Sequence, residues 1–370
     1  MKRIQQSMLP LLASLFVATS AHAVAPANST ITNTASLTYT GLATPISSSV
    51  DVTVTLVPTA PNATGTGGVA PTATVAENQP GTLTFVVTAT ANGPDTYNLG
   101  ANSTPTNVTG SGAPTTSVPS LTLGATAVLT AAPAGATAIT VPADGAADGS
   151  VNGLIAGDTV VIGGTVYTIA SVVDNAAGTS TITLTTPLAA PAPQGTLIAE
   201  QKTVTVTQTA GLITAPAITG NETVALTATS ATNPAVGSTS TGTINVVKVG
   251  FTKSVSVNGG AFQTVVQNVK SGDVLTYRLL VSVPAGSTIS GVTLSDTVPA
   301  FTTYVAASTT MDVDGPNVAI NLPAAQADVA GVSPLAAGMA VNSAGQAAGT
   351  VAGGAATVTE VSVDFQVTVQ

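Results

Sequence analysis

Apolar and polar residues alternate with a period of two at many places along this chain. Ala35-Ser36-Leu37-Thr38-Tyr39-Thr40, Val50-Asp51-Val52-Thr53-Val54-Thr55-Leu56, Thr203-Val204-Thr205-Val206-Thr207 and Val361 to Val369 each set their apolar side chains on one face. Successive side chains of an extended strand point to opposite faces, so the pattern predicts strands with one buried and one wet face. Clusters of Gly, Pro, Asn, Ser and Thr separate these runs, and no long window carries apolar residues at helical spacing with caps. The expected fold is all-β, with little or no helix.

Turn signals recur about every 8 to 12 residues, the rhythm of β-sandwiches of the immunoglobulin type. Pro80 to Val87 and Ser271 to Leu279 form a weak internal repeat, each a glycine turn entering a strand with an aromatic, Phe85 or Tyr277, inside it. Two related sandwiches account for this. Between them, residues 132–200 read as an insertion: Gly157 to Ile169 is a hairpin pattern joined by Gly163-Gly164, and Thr181-Ile182-Thr183-Leu184 adds a strand. Alanine- and proline-rich flanks mark its linkers. The expected architecture is therefore tandem immunoglobulin-like β-sandwiches with a small inserted β-barrel-like module. Its divisions are a segment of strands at 24–58, a first sandwich from 59–131 and 201–248, the insert at 132–200, and a second sandwich at 249–370.

Composition adds location and limits chemistry. Residues 1–23 combine Lys2 and Arg3, the apolar run Met8 to Ala18 and the small-residue site Ala21-His22-Ala23, which reads as a secretory signal peptide. His22 is the only histidine, and there is no cysteine or tryptophan, so the exported chain lacks the usual general base, soft metal ligand and low-pKa nucleophile. A non-enzymatic role follows as the expectation. With no thiol, neither a lipid anchor at a mature N-terminus nor a disulfide is available. No later apolar stretch approaches the roughly 20 residues that cross a bilayer as a helix. Hydrophobic residues make up 44% and aromatics only 3%, so cores must come from Val, Ile, Leu, Ala and Thr methyls. Net charge is −9, and residues 24–201 contain no Lys or Arg, which excludes nucleic-acid binding on electrostatic grounds.

One region reaches a family. Lys253-Ser254-Val255, Gly272-Asp273-Val274-Leu275-Thr276-Tyr277, Leu294-Ser295-Asp296-Thr297-Val298-Pro299 and Thr303-Tyr304-Val305 resemble the bacterial surface repeat called domain of unknown function eleven. The resemblance covers about residues 250 to 370 well and 60 to 130 loosely. It implies an immunoglobulin-type sandwich of secreted, cell-wall and surface-layer proteins, and no catalytic residues.

Three constellations carry candidate chemistry. Asp312 and Asp314, in Asp312-Val313-Asp314-Gly315, and Asp144 with Asp148, before Gly149, are paired acids of the kind that ligate calcium, but lack the distal carboxylate of a full loop; ordinary Asp-Gly turns are the competing reading. Lys253, Asp296 and Asp364 lie on strands expected to be neighbours and would suit an isopeptide link from Lys to Asp assisted by a second carboxyl; the competing reading is a lysine laid over a sheet edge. Asn28, Asn62, Asn102, Asn107 and Asn221 match the N-x-Ser/Thr pattern, which a Thr-rich chain produces by chance. No cofactor is implied beyond that calcium candidate. The function expected is a structural subunit of a cell-surface layer or filament. Its partners would be copies of itself or other surface proteins, joined through the edges of strands such as Thr34 to Thr40 and Val361 to Val369. The rival is an adhesin or ligand-binding surface module that uses the inserted region.

Overall fold

The computed structural model describes residues 25–40, 44–175, 178–215, 217, 219–313, 319–320, 328 and 331–370. The expected signal peptide, residues 1–23, lies outside them. The fold is all-β, as the alternation predicts: among the described residues only the short 3-10 turns Thr66–Gly68 and Pro334–Ala336 depart from strand and loop. No helix there is long and apolar enough to cross a membrane. These residues form two compact units.

The first unit joins residues 25–57 and 92–94 to 124–199. Its sheet runs in the order Ala138–Pro142, Thr179–Leu184, Thr165–Asn175, Thr159–Ile162, then Leu197–Thr209, whose first three residues also pair with Ala125–Ala127. The sheet curls until the Leu129 N–H donates to the Thr140 carbonyl at 2.9 Å, which brings the two ends together like a barrel. Ile139, Val141, Leu154, Val160, Ile169, Ile182 and Ile198 fill the interior. Burying such aliphatic side chains is worth about 1.5–3 kcal/mol each, which is what selects one face of each alternating strand. The Gly163-Gly164 turn is a two-residue hairpin loop with Ile162 opposite Thr165. Both glycines have positive φ, 57° and 84°, the requirement that made the pair legible in the sequence.

The second unit comprises residues 58–91, 95–123 and 200–370. One sheet sets Pro80–Thr88 between Asn62–Gly65 and the later part of Leu197–Thr209. Another runs Thr72–Ala76, Gly237–Val247, Thr219–Ser230, Asp95–Thr106, Ser120–Leu123, antiparallel except for the first pair. Leu83, Phe85, Val204 and Val206 from one sheet, and Tyr97, Val224, Leu226 and Ile244 from the other, are buried. Ile244 lies against Gly81 where the two faces meet. The outward positions of these strands are mostly Thr, Ser and Asn, the wet half of each alternation.

The C-terminal sheet runs Gly250–Val257, Val274–Val283, Thr359–Val369, Thr310–Val313, Ala319–Ile320, with Thr302–Tyr304 also paired to Thr359–Val369. Its core holds Leu279, Val281, Met311, Val361, Val363 and Phe365 together with Leu335, Met339 and Val351 from the facing loops and short strand pairs. One expectation is corrected here. Thr359–Val369 has a partner on each side and is an interior strand, so its backbone groups are spent within the sheet and offer no edge to a neighbour.

Candidate functional site

Thr30–Leu37 and Ile46–Thr53 form a two-stranded antiparallel sheet in which Ile31 opposes Val52, Asn33 opposes Val50, Ala35 opposes Ser48 and Leu37 opposes Ile46. Those eight residues share one face. The other face carries Thr30, Thr32, Thr34, Ser36, Ser47, Ser49, Asp51 and Thr53, with the Thr32 hydroxyl donating to Asp51 Oδ1 at 2.6 Å. Every residue of both strands is exposed, and Ile31, Leu37, Ile46, Val50 and Val52 show 54–65% of their surface. Neither outer edge has a strand partner in the described residues. A hairpin is normally stabilised by a third strand or a packed face; among the described residues this one has neither.

What it has is a fixed root. Asn92, 4% exposed, accepts at Oδ1 from the Val57 N–H at 2.7 Å and donates from Nδ2 to the carbonyls of Ala25, at 3.0 Å, and Thr55, at 3.1 Å. Its own carbonyl accepts from the Ala27 N–H at 2.7 Å. Four hydrogen bonds from one residue thus clamp both chain segments that lead into the hairpin. Gly93 follows because no side chain fits: a Cβ there would lie 2.5 Å from that of Ala27. Asn28 N–H to the Val54 carbonyl and Val54 N–H to the Ser29 carbonyl, at 2.8 and 2.9 Å, extend the ladder to the strand ends. Beside the root a groove of about 410 Å³ is lined by Pro26, Ser29, Ile31, Val128, Pro142 and Thr179 among others. Sequence reading missed Asn92, since Asn92-Gly93-Pro94 has the composition of any turn.

The residues singled out from the sequence are partly brought together. Lys253 Nζ lies 2.8 and 2.7 Å from the two carboxylate oxygens of Asp296, and 4.9 Å from the centre of the Tyr277 ring. Asp364 is elsewhere. It opposes Arg278, whose neighbour Leu279 stands opposite Lys253, so Asp364 and Lys253 face opposite sides of the sheet. Arg278 holds Asp364 through two bonds, Nε to Oδ1 at 2.8 Å and Nη2 to Oδ2 at 2.7 Å, and stacks its guanidinium 4.1 Å over Phe262. The hydrogen-bonded Asp364 carboxylate raises the pKa of Arg278, with the charge of Asp312 adding to the effect. Asp312 sits opposite Ser362. Asp314 lies outside the described residues.

Asp144 and Asp148 act as turn acceptors: Asp144 takes the N–H groups of Ala146 and Asn152, and Asp148 the N–H and hydroxyl of Ser150. Among the described residues no three acids or histidines converge as metal ligands would. Glu222, fully buried, is likewise engaged, accepting from Ser111 Oγ at 2.7 Å, the Gly211 N–H at 3.0 Å and the Gln208 amide.

No protein-family model matches the chain, so the resemblance at residues 250 to 370 rests on its motifs alone. No curated protein matches it either. Among solved structures, the C-terminal domain of the AgI/II polypeptide BspA of Streptococcus agalactiae aligns at 12% identity over 84% of this chain and 91% of that one, with a TM-score of 0.31. A structure titled BspA_C_mut aligns at 13% identity over 84% and 90%, with a TM-score of 0.28. Scores of this size add nothing to the fold and the site, which rest on this chain's own geometry.

Proposed function

We propose that the chain is a non-catalytic structural subunit of a bacterial cell-surface layer or extracellular filament, exported by its leader and joined to its neighbours through β contacts. One observation carries the reading: the Thr30–Leu37/Ile46–Thr53 hairpin is exposed on both faces and, among the described residues, unpaired along both edges. Unpaired strand edges recruit further strands, and proteins that stay monomeric blunt them with Lys, Pro or bulges. Neither strand contains a Lys or a Pro. The scarcity of histidine and cysteine supports mechanical over chemical work. Electron microscopy of the purified protein over a concentration series, with calcium and with chelator, tests the proposal. Ordered polymers are expected; dispersed single particles under every condition overturn it.

The groove beside the hairpin root favours a second reading, a ligand-binding surface module that uses the inserted region. Its lining is largely uncharged, and Val128, Pro142 and Thr179 come from the insert and its flank. Because residues 25–57 and 124–199 belong to one unit, excising the insert would also disturb the hairpin. A point change at the half-buried groove residue Thr179, Thr179→Asp, separates the two: loss of adhesion with intact polymers favours the ligand module.

A further inference from the structure

Resting on the self-assembly reading above, we infer that the partner of the hairpin is the same hairpin of a second copy, and that the two join by their apolar faces about a two-fold axis rather than edge to edge. Edge pairing alone would leave Ile31, Leu37, Ile46, Val50 and Val52 in water on a widened sheet, whereas face-to-face packing at the usual spacing of about 10 Å removes them from it.

Three features select a second copy. The face bears no charge: the one carboxylate of the two strands, Asp51, is on the opposite face, where the Thr32 hydroxyl holds it. Two acidic chains therefore meet at this face without opposing carboxylates or any need for a basic partner. The face is also complementary to itself. From root to tip its rows are Ile31/Val52, Asn33/Val50, Ala35/Ser48 and Leu37/Ile46. A two-fold axis in the plane of the interface and perpendicular to the strands sets the bulky root row against the bulky tip row of the other copy, and the small Ala35/Ser48 row against Asn33/Val50. Such isologous contacts are the common way in which identical chains pair. Finally, the root is rigid, since Asn92 fixes the segments entering and leaving the strands, so the hairpin is presented already ordered.

The footprint sets the strength. Eight residues at about 3.4 Å each, in two strands about 4.8 Å apart, give a face of roughly 27 by 10 Å. That is well below the about 800 Å² per partner of a standard interface, so one contact is weak and gains strength by repetition in an array.

Sedimentation velocity of the full chain into the hundreds of micromolar range tests this, with Val50→Asp on the apolar face and Thr34→Asp on the polar face. Val50 and Thr34 are both exposed, so neither change threatens the fold, and the two add the same charge. Wild type is expected to associate with rising concentration, Val50→Asp at least tenfold more weakly, and Thr34→Asp within about twofold of wild type. Association of wild type that Val50→Asp leaves intact, or that Thr34→Asp abolishes equally, overturns the face-to-face pairing and leaves self-assembly standing. A wild-type chain that stays monomeric throughout overturns both.

Discussion

Ile31 and Val52 stand opposite each other across the N-terminal hairpin, and each exposes more than half of its surface, 54% and 57%. In the sheets of the two cores, apolar cross-strand pairs of the same kind are buried: Val204 with Phe85, Leu279 with Val363. The hairpin repeats the pattern of the core without a core to cover it. That contrast is the physical basis for reading it as an assembly element.

Asn92 should control the hairpin and little else. Asn92→Ala leaves the Val57 N–H and the Ala25 and Thr55 carbonyls without their partner, and weakens the anchoring of residues 25–57 by about 2 kcal/mol. Hydrogen exchange is expected to quicken at residues 27–29 and 54–57 while the core strands around Val363 keep wild-type protection. Uniform loss of protection throughout the chain would contradict this.

Much of the fold was legible and the reasons are specific. Gly163-Gly164 announced a hairpin because two consecutive positive φ angles leave few other residues able to serve, and the alternation at Thr203–Thr207 named the buried face correctly. The same alternation misled at Val361–Val369. Period two reports which face is wet, not whether the backbone has one strand partner or two, and there it has two. Cross-strand register is equally silent in a single sequence, so nothing in it separates Asp364 from Lys253, although one step of parity puts them on opposite faces. Asn92 was invisible because its partners are backbone groups 35 to 67 residues away.

Glu222 fixes three donors inside the second unit. Glu222→Ala strands the Gly211 N–H, the Ser111 hydroxyl and the Gln208 amide in a buried site, at a cost of about 3 kcal/mol. Thermal melting is expected at a clearly lower temperature than for wild type; an unchanged Tm would mean that the network contributes nothing.

Alkaline pH should destabilise the fold through Tyr97. Burial, and then the charge of Asp95, push its hydroxyl pKa upward. A raised folded-state pKa gives stability that is complete below the unfolded value of about 10 and is lost as pH rises beyond it. Denaturant midpoints are therefore expected to fall above about pH 10 in wild type and to fall less in Tyr97→Phe; identical slopes would contradict the assignment.

Lys253 and Asp296 should remain an ion pair. Closing an amide between them expels one water and needs the amine and the acid both neutral, and Asp364, on the far face of the sheet, is not placed to move those protons. Intact mass spectrometry of the exported polypeptide is expected to show no loss of water. A deficit of one water, mapped to a peptide containing both residues, would show the link instead.

Electron microscopy of material sheared from bacteria that express the chain, labelled with antibody to it, bears most directly on its role as an assembling surface subunit. The label is expected along continuous layers or filaments, and to vanish from them when Ile31, Val50 and Val52 are each replaced by Asp. Label confined to isolated particles in the wild type would contradict that role.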